Sequence, residues 1–218
     1  MRIRTLAAVL STGLVAGLMV AVPITVANAA APETGAKVVN SPVMIRQSDF
    51  IPALSDTRTS GHLQFIKDGL HLWTDDNTGQ AKVAEYFKVS GSLADMVGST
   101  VPVWWGTTNA PGSQIVFDAD GTGLANKYNI LVGEAVYGGN DWWLTGGSSA
   151  LAKSKCPETG GGFGSDCHGT LEQWAAALPH AKVYAGGFSL GSGVLGDGLL
   201  YSMTFGTTEY HFTNLPAV

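Results

Sequence analysis

Residues 181–212 read AKVYAGGFSLGSGVLGDGLLYSMTFGTTEYHF, and the choice of fold turns on them. From Leu199 to Phe205 the chain alternates, with Leu199, Tyr201, Met203 and Phe205 on one side and Leu200, Ser202 and Thr204 on the other. A period of two is that of a half-buried strand. Gly206-Thr207 supplies the Gly-first dipeptide of a two-residue hairpin turn. Thr208, Tyr210 and Phe212 continue the apolar side, and Glu209 and His211 take the wet one. Counting outward from the turn sets Met203 opposite Tyr210, Tyr201 opposite Phe212 and Ser202 opposite His211. Period, turn and pairing agree on a C-terminal β-hairpin.

The same stretch contains Gly187-Phe188-Ser189-Leu190-Gly191, a literal G-x-S-x-G. In an α/β-hydrolase this is a strand, a sharp turn carrying the nucleophile, then a helix. Residues 181–185 can supply the strand. Residues 192–198 hold three glycines, and each costs about 1 kcal/mol in a helix. The acid and histidine follow the serine in that fold, and only Asp197, Glu209 and His211 do so here. The reading is a Gly-rich strand and bend with Ser189 an ordinary strand serine. A serine esterase using Ser189 and His211 is the alternative.

The chain has 218 residues and opens Met-Arg-Ile-Arg, followed by an apolar run from Leu6 to Val22 and then Ala27-Asn28-Ala29. A basic start, an apolar stretch and an A-x-A site describe a secretory signal peptide over residues 1–29. An uncleaved anchor is the alternative, disfavoured by Gly13, Gly17 and Pro23. Residues 30–54 read as a leader, with Met44-Ile45 as a short edge strand, and residues 55–218 as one β-sandwich domain. The expected location is extracellular, with no membrane partner after cleavage. Loss of Arg2 and Arg4 leaves ten basic against seventeen acidic residues, near −7. A sparsely charged acidic surface disfavours nucleic acid and anionic membranes as partners. Cys156 and Cys167, the two cysteines of the chain, read as a disulfide in an exported protein.

Short strand patterns with Gly, Asn or Asp between them recur along the chain. His62–Trp73 reads as a second hairpin turning at Asp68-Gly69, with Phe65 against Leu72 and Gln64 against Trp73. Residues 100–106, 114–118 and 129–137 and Asp141-Trp142-Trp143-Leu144 add further strands; residues 81–89 read as another, with a short helix the alternative because Glu85 interrupts the alternation of Val83, Phe87 and Val89. Their spacing predicts a mainly β protein, an antiparallel β-sandwich or jelly roll. One short α-helix is expected near residues 170–178. Thr170 and Gln173 form a capping box, Leu171, Trp174, Ala175 and Leu178 give the helical stripe, and Pro179 ends it.

Three groups of side chains suggest sites. Trp104-Trp105 and Trp142-Trp143 are adjacent pairs, so in strands one of each faces the core and the other faces out. With Asn140 and Asp141, the outward indoles would stack a sugar ring and bind its hydroxyls. Asp118 and Asp120, in DADGTG, resemble the front of a calcium loop, but the twelfth loop position is Asn129; an Asp/Gly turn is the simpler reading. No cofactor is expected beyond such a structural Ca²⁺. Glu85 and Glu134 form a carboxylate pair for glycoside hydrolysis only if the fold makes them face each other. The histidines at 62, 71, 168, 180 and 211 fall in no metal-hydrolase spacing.

Five segments carry a resemblance: GLHLWTDDNTGQAKVAEYF (69–87), QIVFDADGTG (114–123), LVGEAVYGGNDWWLT (131–145), HGTLEQWAAALPHAKV (168–183) and residues 187–212. Together they resemble a recurrent type of uncharacterised secreted protein of Gram-positive actinobacteria, to which no established activity attaches. The resemblance implies a β-sandwich. Asn126-Lys127-Tyr128-Asn129 stands where a shorter turn is expected after DADGTG, which weighs against calcium. The leading expectation is a secreted, non-catalytic β-sandwich binding a glycan or another cell-surface ligand. The alternatives are the Ser189 esterase and a structural or adhesive surface protein.

Overall fold

A computed structural model describes residues 41–67, 69–107, 109–123, 128–161 and 164–213. In chain order the strands are β1 (Val43–Ile45), β2 (Gly61–Ile66), β3 (Gly69–Thr74), β4 (Val83–Ser92), β5 (Val103–Gly106) and β6 (Gly112–Asp118). They continue as β7 (Asn129–Gly133), β8 (Trp142–Leu144), β9 (Glu158–Thr159), β10 (Cys167–Gly169), β11 (Lys182–Leu190), β12 (Asp197–Phe205) and β13 (Thr208–Phe212). The α-helices are α1 (Ala150–Lys153) and α2 (Leu171–Ala177).

The C-terminal hairpin forms as its alternation predicts near the turn. Met203 pairs with Tyr210 and Ser202 with His211. Gly206 takes φ +60°, a value that glycine reaches without a steric penalty. Around this hairpin the first sheet runs β1-β13-β12-β3-β2, with β5 also on β12. Leu200 pairs with Leu70 and with Trp104, and Ser202 with His211 and with Val103. Strands β13 and β3 therefore share one edge of β12, end to end, while β5 takes the other. The second sheet is antiparallel throughout, in the order β4-β11-β6-β7-β8-β10-β9.

The two sheets pack face to face as a β-sandwich. Phe87 and Phe188 of the second sheet meet Phe205 and Phe212 of the first, with Phe87–Phe205 and Phe87–Phe212 centroids 6.0 Å apart and Phe188–Phe212 at 5.7 Å. Edge-on pairs of this kind add roughly 0.5–1.5 kcal/mol each beyond the area they bury. Helix α2 begins with the capping box: Thr170 Oγ1 accepts from the Gln173 amide, and Gln173 Oε1 from that of Thr170. Its stripe buries Leu171 and Trp174, and the Trp174 indole N–H donates to the Trp142 carbonyl at 2.9 Å. Cys156 and Cys167 are joined by a disulfide at a Cα–Cα distance of 5.3 Å. Among the described residues no helix is long and apolar enough to cross a membrane.

Four expectations are corrected. The apolar side of β12 changes at Tyr201, because Leu200 is buried while Leu199 and Tyr201 are only partly so. The pairing with β5 slips between Leu200 and Ser202; a bulge inserts one residue and moves all those beyond it to the opposite face. The β2–β3 register has Phe65 opposite Leu70 and His62 opposite Trp73, one turn position from the Asp68-Gly69 reading. Gly69 is already paired, with Ile66, and Asp68 lies outside the described residues. The sandwich also begins before residue 55: β1 pairs in parallel with β13 and buries Ile45. Only its residues 41–54 can be placed, since the 1–29 segment and residues 30–40 lie outside the described ones. Finally, a second helix is present, α1, one turn capped by Ser149 and too short to show a stripe.

Candidate functional site

Each tryptophan pair divides between inside and outside, but the pairs belong to different sheets. Trp142 is fully buried in β8, and Trp104 of β5 packs on the core with its indole N–H donating to Thr107 O at 3.0 Å. Trp105 stands 72% exposed on the first sheet, and Trp143 faces out from the second. The two outward indoles therefore form no shared platform.

Trp143 nevertheless lies in a concave setting. Strand β7 ends at Gly133, so Glu134 leaves the sheet and its Oε2 accepts the Trp143 indole N–H at 2.9 Å. The indole lines a cleft of about 410 Å³ together with Glu134, Asn109, Ser189 and Ser192. Asn109 is fixed by donation from Nδ2 to Leu195 O at 2.6 Å. An indole, a carboxylate, an amide and two hydroxyls can pack on an apolar ring face and hydrogen-bond the groups around it. Of the other residues read as ligand-binding, Asn140 is exposed and outside the cleft lining. Asp141 is taken up by buried His168, whose Nδ1 lies 2.9 and 3.1 Å from its two oxygens.

Ser189 enters the cleft as a strand residue, paired with Ala84 and Gly112. Its neighbours Phe188 and Leu190 belong to the core between the sheets, so alternation sends its hydroxyl out of the second sheet. His211, flanked by core residues Tyr210 and Phe212, points out of the first. The whole core separates the two. Ser189 Oγ donates to Gly191 O at 3.2 Å, whereas His211 Nε2 lies 2.9 Å from Glu209 Oε1. The Ser202 hydroxyl, and after it His211, hold the Glu209 carboxyl below its ordinary value.

Asp118 and Asp120 direct their carboxylates into their own turn. Asp118 accepts from the amides of Asp120 and Gly123, and Asp120 from the amide and hydroxyl of Thr122. Asp118, Asp120 and Asn129 border a hollow of about 300 Å³. No group of three His, Cys, Asp or Glu side chains suited to a metal assembles among the described residues; residues 124–127 are not among them.

Glu85 and Glu134 line separate clefts and do not face each other. Glu85 sits on edge strand β4, pointing inward between Val83 and Phe87, and is only 7% exposed. The chain from Ile51 to Arg58 runs alongside, with the Ile51, Asp56 and Arg58 amides donating to Tyr86, Ala84 and Lys82 carbonyls. That segment brings in Ser55 and Thr57, whose hydroxyls both donate to Glu85 Oε1, at 2.8 and 2.7 Å. On the neighbouring outward position, Tyr86 donates its hydroxyl to Gln114 Oε1, and burial raises the phenol well above its ordinary pKa.

The sequence singles out Trp143, which lines the first cleft, but assigns Asn109, Glu134 and Ser192 no part beside it. The available signal was Glu134 directly after a strand, nine positions before an outward tryptophan. No family model, characterised protein or solved structure matches this chain.

Proposed function

We propose that the protein is an exported β-sandwich that binds carbohydrate in the Trp143 cleft. The observation that carries this reading is the indole of Trp143, locked by Glu134 and set beside the Asn109 amide and the Ser189 and Ser192 hydroxyls. Binding a sugar takes an apolar surface for the ring face and fixed polar groups for its hydroxyls. The basic-then-apolar N-terminus and the disulfide support export. Titration of tryptophan fluorescence with soluble glucans and cell-wall glycan fragments tests it. Saturable binding that is lost in a folded Trp143→Ala variant is the expected result. No response to any of them, or an unchanged affinity in Trp143→Ala, overturns it.

A second reading, adhesion to another protein, has one observation in its favour. Val103 and Trp105, 54% and 72% exposed, share a side of β5, a strand that pairs with β12 alone among the described strands. Exposed apolar side chains on a strand edge suit pairing with another chain. Recovery of a protein partner by wild type but not by Trp105→Ser, with no glycan response, selects adhesion over sugar binding.

A further inference from the structure

The Glu85 cleft holds a carboxylate that the protein leaves half satisfied. It is a hollow of about 580 Å³ at the edge of the sandwich, lined among others by Phe50, Ser55, Thr57, His62, Trp73 and Glu85. Removing a carboxylate from water is costly unless charge and hydrogen bonds compensate it. Here both hydroxyl donors, Ser55 and Thr57, go to Oε1, and no described group bonds Oε2.

The basic side chains around the cleft are already engaged. Lys82 Nζ and Arg58 Nε lie 2.6 and 3.0 Å from Asp56, and His62 Nε2 lies 2.6 Å from Asp75. His62 and His71 both stack on Trp73, with centroids 5.0 and 4.6 Å apart, which fixes that wall and leaves Phe50 as the aromatic side chain of the lining with no imidazole stacked on it. The described residues thus supply a buried carboxyl group, two hydroxyls on one side of it and aromatic walls, and no basic side chain among them is bonded to it. An aromatic face such as that of Phe50 beside a carboxylate favours a cation carried on a carbon frame, since the ring quadrupole and the carboxylate attract the same charge.

We infer that the Glu85 cleft binds an organic ammonium group, with Oε2 of Glu85 accepting from the ammonium and Phe50 packing on its carbon frame. An amino sugar and a lysine-like alkylamine both present this chemistry. The site is separate from the Trp143 cleft and does not depend on the carbohydrate reading.

Paired titrations of the full chain test the inference: n-butylammonium chloride against n-butanol, and D-glucosamine hydrochloride against D-glucose, followed by tryptophan fluorescence and NMR shift mapping. At least one ammonium compound is expected to bind about tenfold or more tightly than its neutral counterpart, with shifts centred on Glu85 and Trp73. Preference in the first pair alone identifies an alkylamine, and in the second alone an amino sugar. Glu85→Gln is expected to abolish the preference. If Glu85→Gln does not fold, Phe50→Leu serves instead and should weaken ammonium binding severalfold. Equal or absent binding within both pairs overturns the inference. So does a preference that survives in folded Glu85→Gln, or undiminished ammonium binding in folded Phe50→Leu.

Discussion

Gly164 lies on the indole of Trp143: a Cβ at that position would come within 2.4 Å of Cε2 and 2.7 Å of Cδ2 and Cζ2. Only a glycine approaches a ring so closely, and Gly164 belongs to the loop that the Cys156–Cys167 disulfide closes. The crosslink therefore holds the cover over the one tryptophan that lines the Trp143 cleft.

Replacing both cysteines by serine should cost about 2–3 kcal/mol, the loop-closure value for a short loop, measured by urea unfolding. It should also release the Gly164 cover and shift Trp143 emission to longer wavelength. The emission change should be absent when the cysteine replacements are made in a Trp143→Phe background, which assigns it to that indole.

Phe87 is fully buried and touches rings of both β12 and β13. Phe87→Ala should destabilise the sandwich by about 3–5 kcal/mol through lost contact and the cavity left behind. Phe87→Leu should cost clearly less, because it refills most of that volume. Chemical denaturation of the two variants gives the comparison.

Asp56 is held below its ordinary carboxyl value, first by its hydrogen bond from Arg58 and further by Lys82, against the opposing effect of burial. A depressed folded-state value means the folded chain binds the proton less readily than the unfolded chain. The stabilisation is therefore complete above the ordinary aspartate value, about pH 4, and disappears as pH falls through the lower folded-state value. The network is part-exposed, so Asp56→Asn should lose only about 0.5–1 kcal/mol near neutral pH. That deficit should shrink on acidification below about pH 4. Thermal melts of both proteins across this range check the sign; a gap that widens in acid contradicts it.

Ser189 donates to the Gly191 carbonyl, and His211 projects from the opposite sheet. A fluorophosphonate probe is expected to leave Ser189 unmodified, because no imidazole is in contact to remove its proton. Mass spectrometry after probe treatment reads this directly. A label that vanishes in Ser189→Ala would restore the esterase alternative.

What was legible in the chain was written locally. The Met203–Tyr210 pairing, the Thr170–Gln173 capping box and the Cys156–Cys167 pair each depend on residues close in sequence. Their backbone geometry follows from turn chemistry, helix ends and short loops. The alternation in β12 was legible only as far as its bulge. The same happens in β11, where pairing slips between Val183 and Ala185. An inserted residue leaves composition and period unchanged, so only the partner strands reveal it.

The sequence by itself determined that this is a strand-built chain with a C-terminal hairpin, one capped amphipathic helix and one of each tryptophan pair turned inward. The tertiary structure decided which sheet each strand joined. It thereby separated Trp105 from Trp143 and Ser189 from His211, and brought Trp143 to Glu134 and Glu85 to Ser55 and Thr57. The physical reason is that an alternating strand buries its apolar side equally well in either sheet. The choice is made by packing between segments far apart in the chain, and both clefts are formed where such segments meet.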